Sequence, residues 1–449
     1  MPPSPARVAA FDILLRIERE SSFAAELLHS SSYARLSWSD HALTTELVMG
    51  VLRWRSLLDG QISAVSSQAL AKLDLEVLTS LRLGLYQLRW LDRIPKRAAL
   101  HESVELVKRA RKSSAAGFVN AVLRKLSAAR PSQKGDLPDS VETLAGEFAH
   151  PAWIVARWSN QYGMAAARRI CEHNQSVPDT VIRIRNDRAD PELKLEGIAA
   201  VPGDLLSCAR RVTAGNLIST TAFRTGRVVI QDEGSQLIAA LVASGLAAGS
   251  AVLDCCAAPG GKTLMIADRN PDALITAVEL HPHRARLMQN LLQLTRPRAT
   301  IEVIVGDMRA LPGASTFNRV LADVPCTGTG TLARNPEIKW RLHPDDLSDL
   351  QARQVAILRS AMSRLRAGGR LIYSTCSLER EENEDVVEQG LAGQDSVRVV
   401  DCRGELDQLR HRGELLWPNS ATLTQGPYLR TIPGLHPCDG FFAAILERT

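Results

Sequence analysis

Residues 251–263 read A-V-L-D-C-C-A-A-P-G-G-K-T: a short apolar run, an acid at Asp254, a turn of small residues, and then the apolar helical pattern Leu264–Ala267. That order is strand, glycine loop, helix, in which backbone N–H groups and the positive end of a helix meet a bound ligand. Small residues let a ligand approach the main chain closely, which suits Cys256, Ala257, Ala258, Pro259, Gly260 and Gly261 to the role. Three chemistries compete for this loop. A triphosphate loop also ends in G-K-T, but it needs a glycine where Cys256 stands, and Pro259 removes an N–H from the cradle. A dinucleotide loop needs G-x-G-x-x-G, and that spacing is absent. An S-adenosylmethionine loop wants an acid ending the first strand and another ending the second, to hold ribose hydroxyls, and Asp254 and Glu279 stand at those places. An ordinary strand–turn–helix leaves A-P-G-G-K-T and the later acids without a reason.

Thiol chemistry is the second possibility. Eight cysteines occur, at 171, 208, 255, 256, 326, 376, 402 and 438, without a C-x-x-C pair, so neither a zinc ribbon nor a disulfide framework is expected. Most read as small core residues. Cys326 and Cys376 differ because each lies in a turn, Pro325-Cys326-Thr327-Gly328 and Thr375-Cys376-Ser377. His281 and His283 flank Pro282 with no third ligand placed, so no metal site is expected.

These residues can act together only if the chain brings strand ends to one place. From Ser250 onward strand and helix patterns alternate, with strands expected at 251–256, 274–280, 300–306, 318–323 and 370–375 and helices at 262–268, 282–294, 344–366 and 379–389. Such alternation implies right-handed β-α-β units around a parallel sheet. The runs 396–401, 428–432 and 441–447, with no long helix expected between them, suggest an antiparallel hairpin at one edge. Asp254, Glu279, Asp307, Asp323 and Cys376 all fall at or just after expected strand ends, where such sheets bind ligands.

The front of the chain is different. Residues 6–130 carry helical apolar spacing throughout, with Asp40 as an expected helix N-cap and Gly60 as a stop. This segment holds 19 Lys plus Arg against 12 Asp plus Glu, a net of +7, leaving −2 for the rest of a chain whose total is +5. The run Lys108-Arg109-Ala110-Arg111-Lys112 and the group Arg89, Arg93, Lys96 and Arg97 form basic patches suited to a nucleic-acid backbone, although solvated helix faces have the same composition. Trp54 and Trp90 read as packing residues. Residues 131–140 have linker composition. His150 opens another helix as a cap or packing residue, a further helix spans 163–174, and Val181–Asn186 and Val228–Gln231 read as strands of a small α+β module in which Arg183 and Arg185 can face RNA. Gln231–Gln236 precedes a helix at Leu237–Ala243. At 45% apolar residues the chain supports real cores, and it has neither a membrane-length apolar run nor a signal-peptide pattern, so a cytoplasmic protein is expected.

Taken together, D-C-C-A-A-P-G-G-K-T, the D-V-P-C-T-G-T-G of Asp323–Gly330 and the S-T-C-S of Ser374–Ser377 resemble the motifs of RNA cytosine-C5 methyltransferases, in particular the bacterial 16S ribosomal RNA methyltransferase B group with its NusB-like front domain. The stretch Gly117–Lys125, with Asn120 and Arg124 on one face, is similar to the last helix of NusB-like RNA-binding domains. The resemblance spans nearly the whole chain. It implies a NusB-like helical RNA-binding domain over 1–130, a small α+β module over 141–230, and an α/β class I (Rossmann-like) methyltransferase domain over 231–449. It further implies S-adenosylmethionine as cofactor and 16S ribosomal RNA as partner, with a monomer as the default state.

Cytosine C5 is not a nucleophile by itself. A thiolate that adds to C6 makes it one, after which the C5 proton must leave and the thiol must be eliminated, so the reaction needs a reactive cysteine and acid–base help. Residue order alone leaves open which cysteine attacks: DNA enzymes of this chemistry use the one after proline, which would be Cys326. The resemblance assigns the attack to Cys376 and product release to Cys326. It places Asp323 at N3 or the amino group of the target cytosine and near the cofactor, Lys262 beside the base or cofactor, Asp307 at the adenine amino group and Glu279 at the ribose. The family often has Asp at the last position, and Glu reaches farther. The target base must leave its stack, which costs least in a single-stranded loop of structured RNA. A non-catalytic RNA-binding assembly factor, or methylation of another RNA, are the alternatives.

Overall fold

The computed structural model describes residues 2–20, 22–33, 35–129, 139–185, 189–313 and 315–449. Most of the expected 131–140 linker, and Asn186 at the end of an expected strand, lie outside the described residues. Contacts divide the chain into two compact units, Met1–Val177 with Leu332–Arg341, and Pro178–Thr331 with Leu342–Thr449.

The first unit is helical: α1 (Pro5–Glu20), α2 (Ala24–Leu28), α3 (Trp38–Arg53), α4 (Arg55–Val65), α5 (Leu75–Trp90), α6 (Lys96–Arg109), α7 (Ala116–Ala128), α8 (Val141–Glu147), α9 (Ala152–Tyr162) and α10 (Met164–Gln175). Apolar stripes at helical spacing, among them Phe11, Leu14, Leu47, Val51, Leu81, Leu85, Leu106 and Leu123, close one core. Two expected helix signals are corrected. The N-cap of α3 is Ser37, whose hydroxyl accepts from Asp40 N at 3.1 Å, so Asp40 stands inside the first turn. Gly60 does not stop a helix but lies within α4, where open space surrounds it, and the break comes instead at Trp54. Trp54 stacks on Trp90 with 5.2 Å between ring centroids, a packing role.

The basic patches are partly neutralised within the unit: Lys108 pairs with Glu105, Arg109 with Asp12 and Lys112 with Asp74. Arg89 donates to Leu126 O and Ala129 O, satisfying the last carbonyls of α7. Asn120 and Arg124 line one groove with Arg97, His101 and Lys108. His150 is buried, with Nδ1 2.7 Å from Phe148 O and Nε2 3.2 Å from the Asn174 amide, as a packing residue requires. Leu332–Arg341 belongs to this unit too: the buried Lys339 donates to Arg53 O at 2.9 Å and Trp340 Nε1 to Leu52 O at 2.6 Å, covering the C-terminal carbonyls of α3.

In the second unit a four-stranded antiparallel sheet, ordered β2-β3-β1-β4, is built from β1 (Thr180–Ile184), β2 (Ala199–Pro202), β3 (Ala209–Ala214) and β4 (Val228–Ile230), with α11 (Ala189–Leu195) and α12 (Thr221–Arg224) beside it. The expectation that Arg183 and Arg185 face RNA is overturned. Both guanidiniums bind the half-buried Asp268, Arg183 at 2.7 Å and Arg185 through two bonds at 2.6 and 2.8 Å, because a buried guanidinium such as that of Arg183 needs an anion.

The larger sheet follows α13 (Glu233–Ala243). Its elements are β5 (Ala251–Asp254), α14 (Gly261–Arg269), β6 (Leu274–Glu279), α15 (Pro282–Thr295), β7 (Thr300–Val305), β8 (Phe317–Asp323), the short α16 (Ile338–Arg341) counted with the first unit, α17 (Asp346–Ser363), β9 (Leu365–Thr375), α18 (Glu384–Leu391), β10 (Val397–Val400), α19 (Cys402–His411), β11 (Thr424–Gln425), β12 (Tyr428–Arg430) and β13 (Phe442–Arg448). The strand order is β11-β12-β13-β9-β8-β5-β6-β7, with β10 beside β13; β5 to β9 are parallel and the remainder antiparallel. The central strands are apolar on both faces, as Val252-Leu253 and Leu371-Ile372-Tyr373 show, because helices cover both sides.

Two expectations about this part change. A ten-residue helix, α19, separates β10 from the later strands; Cys402, Leu406 and Leu409 form its buried stripe, and Gly404 does not break it. The helix expected at 379–389 is a 3-10 turn, Arg380–Glu382, followed by α18, because Glu382 and Asn383 turn inward to bind neighbouring loops.

Candidate active site

Parallel register places the carboxyl ends of β5, β8 and β9 side by side: Asp254 pairs with Leu321, and Asp323 with Ser374. The 255–261 loop is pinned to its neighbours by Cys255 N to Leu321 O at 2.8 Å and Ala257 N to Val278 O at 2.9 Å. Gly260 has φ of +102°, and a Cβ there would meet Met288 Cγ at 2.9 Å, so the turn requires glycine. The Ala258–Pro259 peptide is cis.

Within this loop lies a cavity of about 190 Å³ lined by Asp254, Cys256, Ala257, Ala258, Pro259, Gly261, Lys262 and Asp323 together with Gln231, Asp232 and Ser235. Asp232 doubles as the N-cap of α13, accepting from Gly234 N at 2.8 Å. The Asp254 carboxyl is buried; Oδ2 accepts from the Thr263 hydroxyl at 2.6 Å, and Oδ1 is without a hydrogen-bond partner. Burial pushes its pKa from an ordinary 3.8 up to about 7, against the opposing pull of the Thr263 bond. A turn that only glycine can make at 260 and a buried carboxyl oxygen without a donor fit a small polar ligand such as the S-adenosylmethionine expected here.

Lys262 and Asp323 form a pair in the wall of this cavity. Lys262 Nζ donates to Asp323 Oδ2 at 2.7 Å, and the Ser374 hydroxyl donates to Oδ1 at 2.6 Å. The ammonium also lies 5.3 Å from the centre of the Phe441 ring. Burial opposes its charge, but Asp323 outweighs burial and holds the Lys262 pKa above 10.5.

Beside the pair, Cys326 Sγ and Cys376 Sγ are 3.4 Å apart as free thiols. Their loops interlock: Gly330 N donates to Cys376 O at 2.9 Å, Leu378 N to Thr329 Oγ1 at 2.9 Å, and the Thr327 and Ser377 hydroxyls are 3.1 Å apart. The bond to Cys376, burial and the nearby Glu382 charge together hold the Cys326 thiol well above its ordinary value.

The structure thus brings together Cys326, Cys376, Asp323, Lys262 and the 256–261 loop. Glu279 and Asp307 are not in the wall of this cavity. Glu279 ends β6 buried, accepting from His281 N at 2.9 Å. Asp307 lies in the turn after β7, its carboxylate bound to the Arg309 guanidinium and backbone. Sequence reasoning passed over Ser374, Phe441, Gln354 and Glu382. Ser374 sits inside the S-T-C-S motif and was there to be read, whereas Phe441 and Gln354 come from distant segments with no local signal. Glu382 belongs to an acidic run, Glu381-Glu382-Asn383-Glu384, that reads as a solvated helix start.

Three family models match the chain. The family described as 16S rRNA methyltransferase RsmB/F matches residues 244–447, the NusB family residues 4–128, and the RsmF/B-like ferredoxin-like domain residues 150–213. A Bacillus subtilis (strain 168) protein named as a probable ribosomal RNA small subunit methyltransferase B is 34% identical over 401 residues, 86% of this chain and 88% of its own. The Vibrio cholerae serotype O1 ribosomal RNA small subunit methyltransferase B is 31% identical over 418 residues, 91% of this chain and 90% of its own. The crystal structure of PH0851 superposes over 100% of both chains with a TM-score of 0.81 at 21% identity, a likeness of fold.

Proposed function

The chain belongs to the 16S rRNA methyltransferase RsmB/F family, and from that premise we propose that it methylates C5 of a cytosine in 16S ribosomal RNA through a covalent bond between Cys376 and C6 of the base. The observation that carries this reading is the pair of thiols 3.4 Å apart beside the Lys262–Asp323 pair. A nitrogen or oxygen target already carries a nucleophilic lone pair, whereas cytosine C5 needs a sulfur adduct at C6 before it can take a methyl group.

S-adenosylmethionine, when bound, supplies an electrophilic methyl group. The residues to hold it are those of the 256–261 loop with Asp254, Glu279 and Asp307. Asp323 faces the base: each of its oxygens already accepts one bond, from Lys262 or Ser374, and each keeps a lone pair for N3 or the amino group of cytosine. Lys262 fixes that carboxylate and balances its charge. The Cys376 thiolate adds to C6, and the electron pair of the C5–C6 double bond moves so that C5 becomes nucleophilic. Once C5 is substituted, solvent water takes its proton, the C5–H electron pair re-forms the C5–C6 double bond, and the C6–S pair leaves with the Cys376 sulfur. Cys326, against the departing sulfur, assists this last step as proton carrier. The groove lined by Asn120 offers Arg97 and Arg124 to an RNA backbone.

The test is a denaturing gel of protein incubated with 16S RNA and S-adenosylmethionine. Cys326→Ala should retain RNA covalently, and Cys376→Ala should neither retain it nor turn over. An adduct on Cys376→Ala, absent from Cys326→Ala, would reverse the two roles.

A further inference from the structure

Glu382 is fully buried, in the turn that follows the Cys376 loop. Its Oε1 accepts from Thr327 N and from Gln354 Nε2, each at 2.9 Å, and its Oε2 accepts from the Thr327 hydroxyl at 2.5 Å. The same Gln354 amide donates to Pro325 O at 2.9 Å. The residues on both sides of Cys326 are therefore fixed by one carboxylate and the amide bound to it. The turn itself is tied back to the strand that carries Cys376. The Tyr373 hydroxyl donates to Glu382 O at 2.5 Å, and the Thr375 hydroxyl donates to Asn383 Oδ1 at 2.5 Å.

Resting on the function proposed above, we infer that Glu382 is a positioning residue for the reaction: its carboxylate sets Cys326 against Cys376 and biases the pair so that Cys376 carries the thiolate. Three donors meet this carboxylate, and its charge acts through a poorly polarisable interior. The ionisable groups around the thiols divide into two sides. Glu382 and the Gln354 amide bound to it hold the residues on both sides of Cys326, and the Glu382 charge opposes ionisation there, whereas the Lys262 charge couples to Asp323 and Cys376. A second negative charge on Cys326 is opposed by Glu382, while one on Cys376 is favoured by Lys262. Cys326 then remains a thiol whose S–H points to the Cys376 sulfur, the form needed to return a proton when that sulfur departs. This asymmetry supplies a physical reason for the choice between two cysteines that residue order leaves open.

The test uses the full chain without RNA or cofactor. Glu382→Gln removes the charge while leaving an acceptor for Thr327 N–H, and the Thr327 hydroxyl can turn to accept from the new amide. Initial rates of iodoacetamide alkylation, mapped to each cysteine by peptide mass across a pH series, report each thiolate. In wild type Cys376 should react faster than Cys326. In Glu382→Gln, Cys326 should react about tenfold faster at fixed pH, the effect of one pH unit on thiolate content, with a smaller change at Cys376. An unchanged Cys326 rate overturns the charge bias.

Thr327→Ala tests placement with the charge intact. Diamide takes two thiols to a disulfide and is itself reduced to the hydrazine, so its rate of joining Cys326 to Cys376 reports their approach. Wild type should close faster than Thr327→Ala, and equal rates overturn the positioning role. Both readouts are independent of substrate, so a failure of C5 methylation would sink the functional reading alone.

Discussion

Asp254 gives the sharpest physical forecast. Its carboxyl is 1% exposed, and its pKa is raised from 3.8 to about 7 by burial. A carboxyl with a higher pKa folded than unfolded holds its proton more tightly in the folded chain. The stabilisation is complete below pH 3.8 and is lost as the pH rises through about 7. Integrating those two values between pH 5.0 and 7.5 gives a loss of about 2.5 kcal/mol from this one group. Asp254→Asn cannot titrate and keeps an acceptor for the Thr263 hydroxyl. Urea unfolding of wild type and variant at the two pH values isolates the difference: the variant should gain about 2.5 kcal/mol on wild type as the pH rises, whatever the other groups contribute to both. Parallel behaviour of the two proteins across this window would refute the assignment of a buried, proton-binding Asp254.

Other consequences follow from single contacts. Gly330→Ala would put a Cβ 2.3 Å from Gly440 O and 2.8 Å from Cys376 O. Because those atoms are backbone, the melting curve should show a loss of about 3 kcal/mol or more, with methyl transfer lost alongside. Lys262→Met strands Asp323 without its cation and should cost about 1–3 kcal/mol at neutral pH together with most of the turnover. Since the Lys262 pKa is raised, its contribution is present below pH 10.5 and disappears only above that, so wild type and variant should converge in strongly alkaline urea titrations. Arg185→Met removes the two-bond contact to Asp268 and the bonds to Gly226 O and Thr295 O. Unfolding should show a loss of about 3 kcal/mol, while RNA affinity in filter binding stays unchanged.

The candidate site was legible where chemistry and local structure share one short stretch. Asp254 and Asp323 end strands, Cys326 and Cys376 lie just after them, and Lys262 opens the helix that follows β5, so alternating β and α patterns were enough to bring them together. Their support was not legible. Glu382 reaches back 55 residues to Thr327, and Gln354 holds Pro325 from a helix 29 residues on. Neither pairing leaves a periodic trace, and an acidic run looks the same whether it faces water or a loop. Arg183 and Arg185 looked like an RNA face because alternation marks one side of a strand without saying what covers it; the answer, Asp268, is 83 residues from Arg185. At the front, Asp40 precedes the apolar stripe and so resembles a cap, but Ser37 three residues earlier makes the bond. The Leu332–Arg341 segment falls between two motifs of the second unit and gives no local hint that Lys339 and Trp340 cover the end of α3.

The proposed function turns on C5 chemistry through Cys376. Tritium release from 5-tritiated cytosine in 16S RNA, with S-adenosylmethionine added, measures it directly for wild type and Cys376→Ala. Wild type should release tritium and the variant none. Release by both would move the attacking sulfur to Cys326, and release by neither, with the cofactor bound, would contradict cytosine C5 in this RNA as the target.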